Sequence, residues 1–266
     1  MKYVFMSLGA LFLCFILAGL PAFVIGKKKH LKKFTTVFLA VLFALILICG
    51  VSLTYLEIYY HPDASAFVTS QTVEMKKIEG GYFFDGPGDE KALIFYPGAK
   101  VATEAYTPLM TALAEHGVDC FLADLPFRIA FLGSKKADQF LDAYTYQTWT
   151  AAGHSMGGLV VSSYAADHSD QFDHLILLAS YPGREIPDKL SLCSIYGTMD
   201  GCLSLEAYEK AKEYWPVNAS EFIIEGGNHA RFANYGKQAG DLDAAISWEE
   251  QQEETLSIIL KELGLE

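Results

Sequence analysis

Basic residues are scarce after position 57. Residues 58–266 hold 14 lysines and arginines against 31 aspartates and glutamates, a net charge of −17. A domain with that field repels phosphate backbones, so nucleic acid is excluded as a partner. Cysteine is scarce too. Of the five, Cys14 and Cys49 fall in long apolar runs, and Cys120, Cys193 and Cys202 form an odd set further on. No disulfide framework follows; these three read as small buried hydrophobes, with a Cys193–Cys202 pair left open. The chain has no Cys-x-x-Cys and no His-Glu-x-x-His pattern, and no metal is expected. Internal repeats and low-complexity segments are absent as well. What remains, roughly 200 residues of mixed composition, is ample for one domain with a hydrophobic core.

The first 57 residues show the opposite imbalance, with six basic residues and one acid, Glu57. Tyr3 to Gly26 is almost uncharged, as is Phe34 to Leu56. Each run exceeds the ~20 apolar residues that a helix needs to span a bilayer. Between them stands Lys27-Lys28-Lys29-His30-Leu31-Lys32-Lys33, a loop that the positive-inside rule holds in the cytoplasm. The expectation is a two-helix transmembrane hairpin over residues 1–60 (spans about 3–26 and 34–56), with Tyr55, Tyr59 and Tyr60 in an outer interfacial belt. The domain that follows, 61–266, is then extracytoplasmic at the cell membrane. Small residues around Ala18 to Ala22 also permit a cleaved signal peptide. That would turn the domain inward, against the lysine rule.

His61 to about Ser70 reads as a linker, and residues 71–85 as a β-hairpin closed by Asp85-Gly86-Pro87-Gly88. From Lys91 short apolar strands alternate with helical stretches. Strands are expected at Ala92–Tyr96, Val118–Ala123, Trp149–Gly153, His174–Ala179, Leu190–Tyr196 and Glu221–Glu225. Helices are expected at Glu104–His116, 136–147, Met156–His168, Leu205–Tyr214 and Trp248–Leu263. This alternation predicts an α/β fold with a mostly parallel sheet and helices on both faces, and a site beyond the carboxyl ends of the strands.

The chemistry-bearing motif is Gly153-His154-Ser155-Met156-Gly157-Gly158. It places Gly-x-Ser-x-Gly between an expected strand and an expected helix, the context in which a serine is presented on a sharp turn. A serine nucleophile needs a base and an orienting acid. His229, in Gly227-Asn228-His229-Ala230, follows a strand and is the expected base. Asp200, in Tyr196-Gly197-Thr198-Met199-Asp200-Gly201, also follows a strand and is the expected acid. Asp188 and Glu206 are weaker, because neither lies at a strand end. His154 reads as a packing residue, and His116, His168 and His174 as structural. Backbone N–H donors for an oxyanion are expected at Met156, after the nucleophile, and at Ala99, in Tyr96-Pro97-Gly98-Ala99-Lys100.

With these segments, residues 91–263 resemble the α/β-hydrolase superfamily, and look like small bacterial members related to its dienelactone-hydrolase branch. The resemblance implies the α/β-hydrolase fold, Ser155 as nucleophile, Asp200 as acid, His229 as base, Ala99 and Met156 as oxyanion donors, and no cofactor. Two departures stand out. Many members have His-Gly where this chain has Pro97-Gly98, and dienelactone hydrolases use a cysteine nucleophile where this chain has Ser155. Their substrate is therefore not carried over.

The expected function is a serine hydrolase, a carboxylesterase or lipase-like enzyme, that cleaves small-molecule or lipid-like carboxylic esters through an acyl-enzyme. An acyltransferase would use the same triad, and nothing in the sequence separates the two. A non-catalytic binding module is the third class, and the ordered Ser, Asp and His argue against it. Only about ten residues separate the strand ending near Ser180 from the next, so no large lid is expected. The segment Arg231 to Ser247, with Tyr235 and Lys237, is expected to form part of the wall. The sequence leaves the oligomeric state open.

Overall fold

The computed structural model describes residues 33–265, with continuous side-chain detail from 41 onward. The expected first span and most of the lysine loop lie outside the described residues. The chain divides into two units, Met1–Tyr59 and Tyr60–Glu266.

In the first unit, helix α1 runs over Lys33–Leu56. Its sequence after Lys33 has no charged residue, and its exposed side chains include Phe38, Val41, Leu45, Ile48 and Leu53. It therefore has no polar face with which to meet water. Over the described residues no helix is long and apolar enough to cross a membrane.

The second unit is built on one eight-stranded sheet of order β1-β2-β4-β3-β5-β6-β7-β8. The strands are β1 (Glu74–Ile78), β2 (Gly81–Asp85), β3 (Lys91–Tyr96), β4 (Val118–Ala123), β5 (Thr148–His154), β6 (His174–Leu178), β7 (Ser191–Gly197) and β8 (Ala219–Ile224). The hairpin β1–β2 is antiparallel and β2 joins β4 antiparallel; every pairing from β4 to β8 is parallel. Central strands such as β4 are buried along their whole length, as a sheet covered on both faces requires. The outer strand β1 is instead mostly exposed and charged at Glu74, Lys76 and Lys77, which blunts a free edge.

Two cores flank the sheet, and alternation along β3 divides them: Leu93 and Phe95 face one way, Ile94 and Tyr96 the other. The first core takes Leu109, Met110 and Leu113 from α2 (Thr107–Glu115) and Ile259 and Leu260 from α6 (Trp248–Glu262). The second takes Phe140 from α3 (Asp138–Ala143) and Val160, Val161 and Tyr164 from α4 (Met156–Asp167). A short helix α5 (Leu205–Ala211) follows β7.

Three expectations change. The helix expected over 136–147 is only Asp138–Ala143. Tyr144 turns extended, with its ring 4.7 Å from Phe121 and 5.2 Å from Phe83, so side-chain packing overrides the helical pattern. The expected linker after His61 is fastened to the domain: Asp63 N–H donates to Asn234 O (2.9 Å), Asn234 Nδ2 donates to Ser65 Oγ (2.6 Å), and Ala66 is buried. Tyr60, expected in an interfacial belt, forms a bridge with Val101 and packs 5.4 Å from Tyr235.

The start of α4 lies against the ends of β3 and β6. A Cβ on Gly157 would sit 2.0 Å from Tyr96 O and 2.4 Å from Pro97 O, and one on Gly158 would sit 2.6 Å from Ser180 Cβ. Backbone atoms cannot yield there as a side chain can. Gly157→Ala is expected to cost about 1–3 kcal/mol or more of unfolding free energy, as overpacking does. Gly183→Ala, whose Cβ meets only the flexible end of Leu159 at 3.0 Å, should stay within about 0.5 kcal/mol. Chemical denaturation of the two variants checks this; equal stability would contradict it.

Candidate active site

Ser155 sits between β5 and α4 with φ 52° and ψ −124°, a backbone region costly to a residue bearing a Cβ. The surroundings hold it there. Ser155 N–H donates to Leu178 O (2.9 Å), and Ser155 O accepts from Ser180 Oγ (2.7 Å) and Leu159 N (3.2 Å). The turn therefore has bonds to β6, to the loop after β6 and to α4.

Asp200 and His229 lie after β7 and β8, and the structure brings them together. His229 Nδ1 is 2.9 Å from Asp200 Oδ2, with both side chains almost fully buried. A carboxylate only accepts, so Nδ1 carries the proton and Nε2 is left as the acceptor. The other oxygen, Oδ1, accepts from Cys202 N (2.8 Å) and Leu203 N (2.7 Å). Three donors thus converge on a carboxylate that burial alone would penalise. Ser155, Met156 and His229 line one cavity of about 160 Å³ together with Leu159, Ala179, Ser180, Tyr181, Cys202, Leu203 and Ser204.

Ala99 is not among the lining residues of that cavity, but lies in the loop after β3, the strand paired with β5. The amides of this loop can be accounted for one by one. Pro97 has none. Gly98 N–H donates to Tyr106 Oη (2.9 Å), Lys100 N–H to Arg128 O (2.8 Å) and Val101 N–H to Gly98 O (3.4 Å). Among the described hydrogen bonds, neither Ala99 N–H nor Met156 N–H has an acceptor. Lys100 has its pKa lowered by burial.

Asp200, Cys202 and His229 also place one ligand-type atom each within 4.8 Å of one another. The Asp200 oxygens are already engaged as described, and the Cys202 thiol is held protonated, its pKa raised by burial. Cys49, Cys120, Cys193 and Cys202 are all free thiols, so Cys193 and Cys202 do not pair.

Four residues that hold this arrangement were not legible as such. Asp241, read only as one acid in the wall segment, is buried and ties the two loops together. Its Oδ1 accepts from Gly201 N (2.9 Å), Leu242 N (3.0 Å) and His229 N (3.4 Å), and its Oδ2 accepts from Ala230 N (2.9 Å). Gln251 pairs both ways with the backbone of Asn228: Asn228 N–H to Oε1 (2.9 Å) and Nε2–H to Asn228 O (2.8 Å). It looks like part of a solvated Glu/Gln run, yet Gln251, Thr255 and Ile259 are four apart and all buried. That phasing is the signal which could have found it.

Tyr106 and His154 complete the set. The Tyr106 hydroxyl accepts from Gly98, so its own proton goes to His154 Nδ1, 2.8 Å away. The His154 ring packs 4.6 Å from that of His229. Burial first, and the neighbouring His229 second, push the His154 pKa well below its ordinary value. His154 is thus a neutral imidazole wedged between the β3 loop and His229, which gives its expected packing role a definite form.

The depressed pKa has a consequence for stability. The unfolded chain takes up a proton at His154 near pH 6.5 while the folded chain does not, so stability is full above that pH and falls as pH drops below it. The slope is up to roughly 1.4 kcal/mol per pH unit for this one proton. His174, whose pKa is also lowered by burial, adds to it. In denaturant titrations between pH 7 and 5, His154→Gln should flatten the slope relative to the parent chain. An unchanged slope would place the proton uptake elsewhere.

Comparison with known proteins follows this geometry. The sequence pattern of the Alpha/beta hydrolase family matches residues 92–253. No curated protein sequence matches the chain. Among solved structures, the chain is similar to Est1E from Butyrivibrio proteoclasticus, with TM-score 0.51 and 17% identity over 73% of this chain and 100% of that one. It is also similar to a dienelactone hydrolase from Anabaena variabilis, with TM-score 0.53 and 14% identity over 72% of this chain and 99% of that one. At such identities the likeness is one of fold. The match over residues 92–253 spans more than half of the sequence, and the chain belongs to the alpha/beta hydrolase family.

Proposed function

We propose that this hydrolase is a serine esterase, with Ser155 as nucleophile, His229 as general base and Asp200 as the group that orients and balances the imidazolium. The observation that carries the reading is that His229, paired with the buried Asp200, lines the same cavity as a serine held at positive φ. In this reading Ser155 Oγ attacks the ester carbonyl while His229 Nε2 takes its proton. The amides of Ala99 and Met156, which have no acceptor among the described hydrogen bonds, stabilise the oxyanion. His229 then returns the proton to the leaving alcohol, and water activated by the same nitrogen cleaves the acyl-enzyme. The cavity, about 160 Å³, is small beside the ~300–1,000 Å³ of ordinary small-molecule pockets. It suits a short acyl group, with the alcohol portion of the ester outside. Acyl transfer to an alcohol acceptor is the alternative outcome of the same acyl-enzyme.

The reading also includes a membrane tether. The uncharged runs on either side of the lysine loop support a hairpin that leaves the domain outside the cytoplasm.

A fluorophosphonate probe should label the parent chain and fail to label Ser155→Ala. His229→Ala should lower turnover of p-nitrophenyl acetate by at least about a thousandfold, and activity should fall as the acyl chain lengthens. Asp241→Asn necessarily turns an amide NH₂ toward one of the backbone N–H groups that the carboxylate now accepts. It is expected to cost about ten- to a hundredfold in kcat through misplacement of His229, with KM little changed. Absence of Ser155-dependent labelling in folded protein would sink the esterase reading.

For the tether, the chain should stay with membranes after alkaline extraction, and its domain should be digested by protease added to intact cells. Release on extraction or protection from digestion would each reject that part.

A further inference from the structure

The loop after β4 stands apart from the rest of its domain. From Leu125 to Ala137 the sequence has three cations, Arg128, Lys135 and Lys136, and no acid, within a region whose net charge is −17. The same stretch exposes three large apolar side chains: Phe127 at 40%, Phe131 at 59% and Leu132 at 57%.

These exposures do not come from a loose loop. Leu125, Ala130 and Ala137 are buried at its base. The hydroxyl of Tyr96 donates to Ser134 O (3.1 Å) and accepts from Ala137 N (2.9 Å). Phe127 and Arg128 both sit at positive φ, 52° and 59°, a conformation that costs a non-glycine residue and persists only where its surroundings impose it. The fold thus holds the base of the loop down while its apolar side chains face outward. Lys100 N–H donates to Arg128 O (2.8 Å), which joins the loop to the segment that carries Ala99. β3 and β4 are parallel neighbours, so the loop lies at the same carboxyl edge of the sheet as Ser155.

We propose that residues 126–136 form a docking surface for an anionic lipid bilayer. Exposed apolar side chains and cations in one short stretch match the two layers of such a surface, aliphatic chains below anionic headgroups. The acidic remainder of the domain is repelled by the same headgroups, which leaves this edge to face them. The inference rests on the esterase and tether reading and deepens it. It presents the small cavity to esters carried at the bilayer surface, with the short acyl group inside and the lipid-borne alcohol outside.

The test uses the full chain reconstituted into vesicles of phosphatidylcholine and phosphatidylglycerol with brominated acyl chains. Phe131→Trp reports contact, its emission read as the difference from the parent chain, whose own Trp149, Trp215 and Trp248 give the background. Val217→Trp, at a site 81% exposed just before β8 and so at the opposite edge of the sheet, is the control. The residue at 131 should lose roughly half its emission, since interfacial segments seat their apolar side chains ~5–10 Å into the headgroup–acyl boundary; the residue at 217 should lose little. Adding Lys135→Glu and Lys136→Glu, or omitting phosphatidylglycerol, should bring position 131 down to the control level. Equal quenching at 131 and 217, or quenching indifferent to both charge changes, would overturn the proposal. Thermal unfolding of each variant confirms an intact fold. Running the quenching again in Ser155→Ala separates this result from the esterase reading, and alkaline extraction separates it from the tether.

Discussion

The approach of α4 to the ends of β3 and β6, closer than any side chain permits, is the constraint on which the rest of the site depends. Glycines at 157 and 158 let the helix begin against backbone atoms of Tyr96 and Pro97 and against Ser180. Only one residue then remains to turn the chain from strand to helix, and Ser155 makes that turn at φ 52°. The cost of such a conformation, of order 1–3 kcal/mol, is offset by three backbone hydrogen bonds around it. The same closeness sets the start of α4, with Met156 as its first residue, against the loop that follows β3.

A sharp turn fixes one member of the site, but Asp200 and His229 arrive on loops from two other strands. Loops of this kind carry many unpaired backbone groups, and burying them requires a partner for each. Asp241 and Gln251 meet that need with side chains. One carboxylate collects amides from the acid loop and from the histidine loop, while one carboxamide completes both hydrogen bonds of Asn228. On the other flank Tyr106 and His154 link the β3 loop to the face of the His229 ring. The site is therefore braced by a polar network in which almost every group is spent, and low local dielectric makes each of those bonds costly to break. Among the described residues, His154 Nε2 and Arg231 Nη1 are buried without a partner.

This division explains what could be read in advance. The parallel sheet, the placement of Ser155, Asp200 and His229 at strand ends, and the order of the strands' apolar runs all follow from local pattern, because a strand buried on both faces must be continuously apolar. The bracing residues do not. Asp241 lies among other acids with no spacing that distinguishes it, and its partners other than Leu242 are 11 to 40 residues away. Asp63 and Ser65 looked like part of a linker because Asn234, which they both meet, stands about 170 positions later. The shortened helix at 138–143 fails for the same reason: Tyr144 is claimed by the aromatic cluster of Phe83 and Phe121. Long-range pairing leaves no periodic trace.

Charge and hydropathy carry a separate message from the fold. An acidic domain gains solubility and loses any attraction to anionic surfaces, so a cation-rich, acid-free segment in it works against the general trend. Within 125–137 the same residues that bear positive charge flank the exposed Phe127, Phe131 and Leu132. Neither property serves the core: the buried positions of the loop, Leu125, Ala130 and Ala137, already fasten it. Exposed apolar side chains cost solubility, and positive φ at Phe127 and Arg128 costs conformational energy. Costs that folding does not require point to a surface the loop meets, at the edge of the sheet where Ser155 waits.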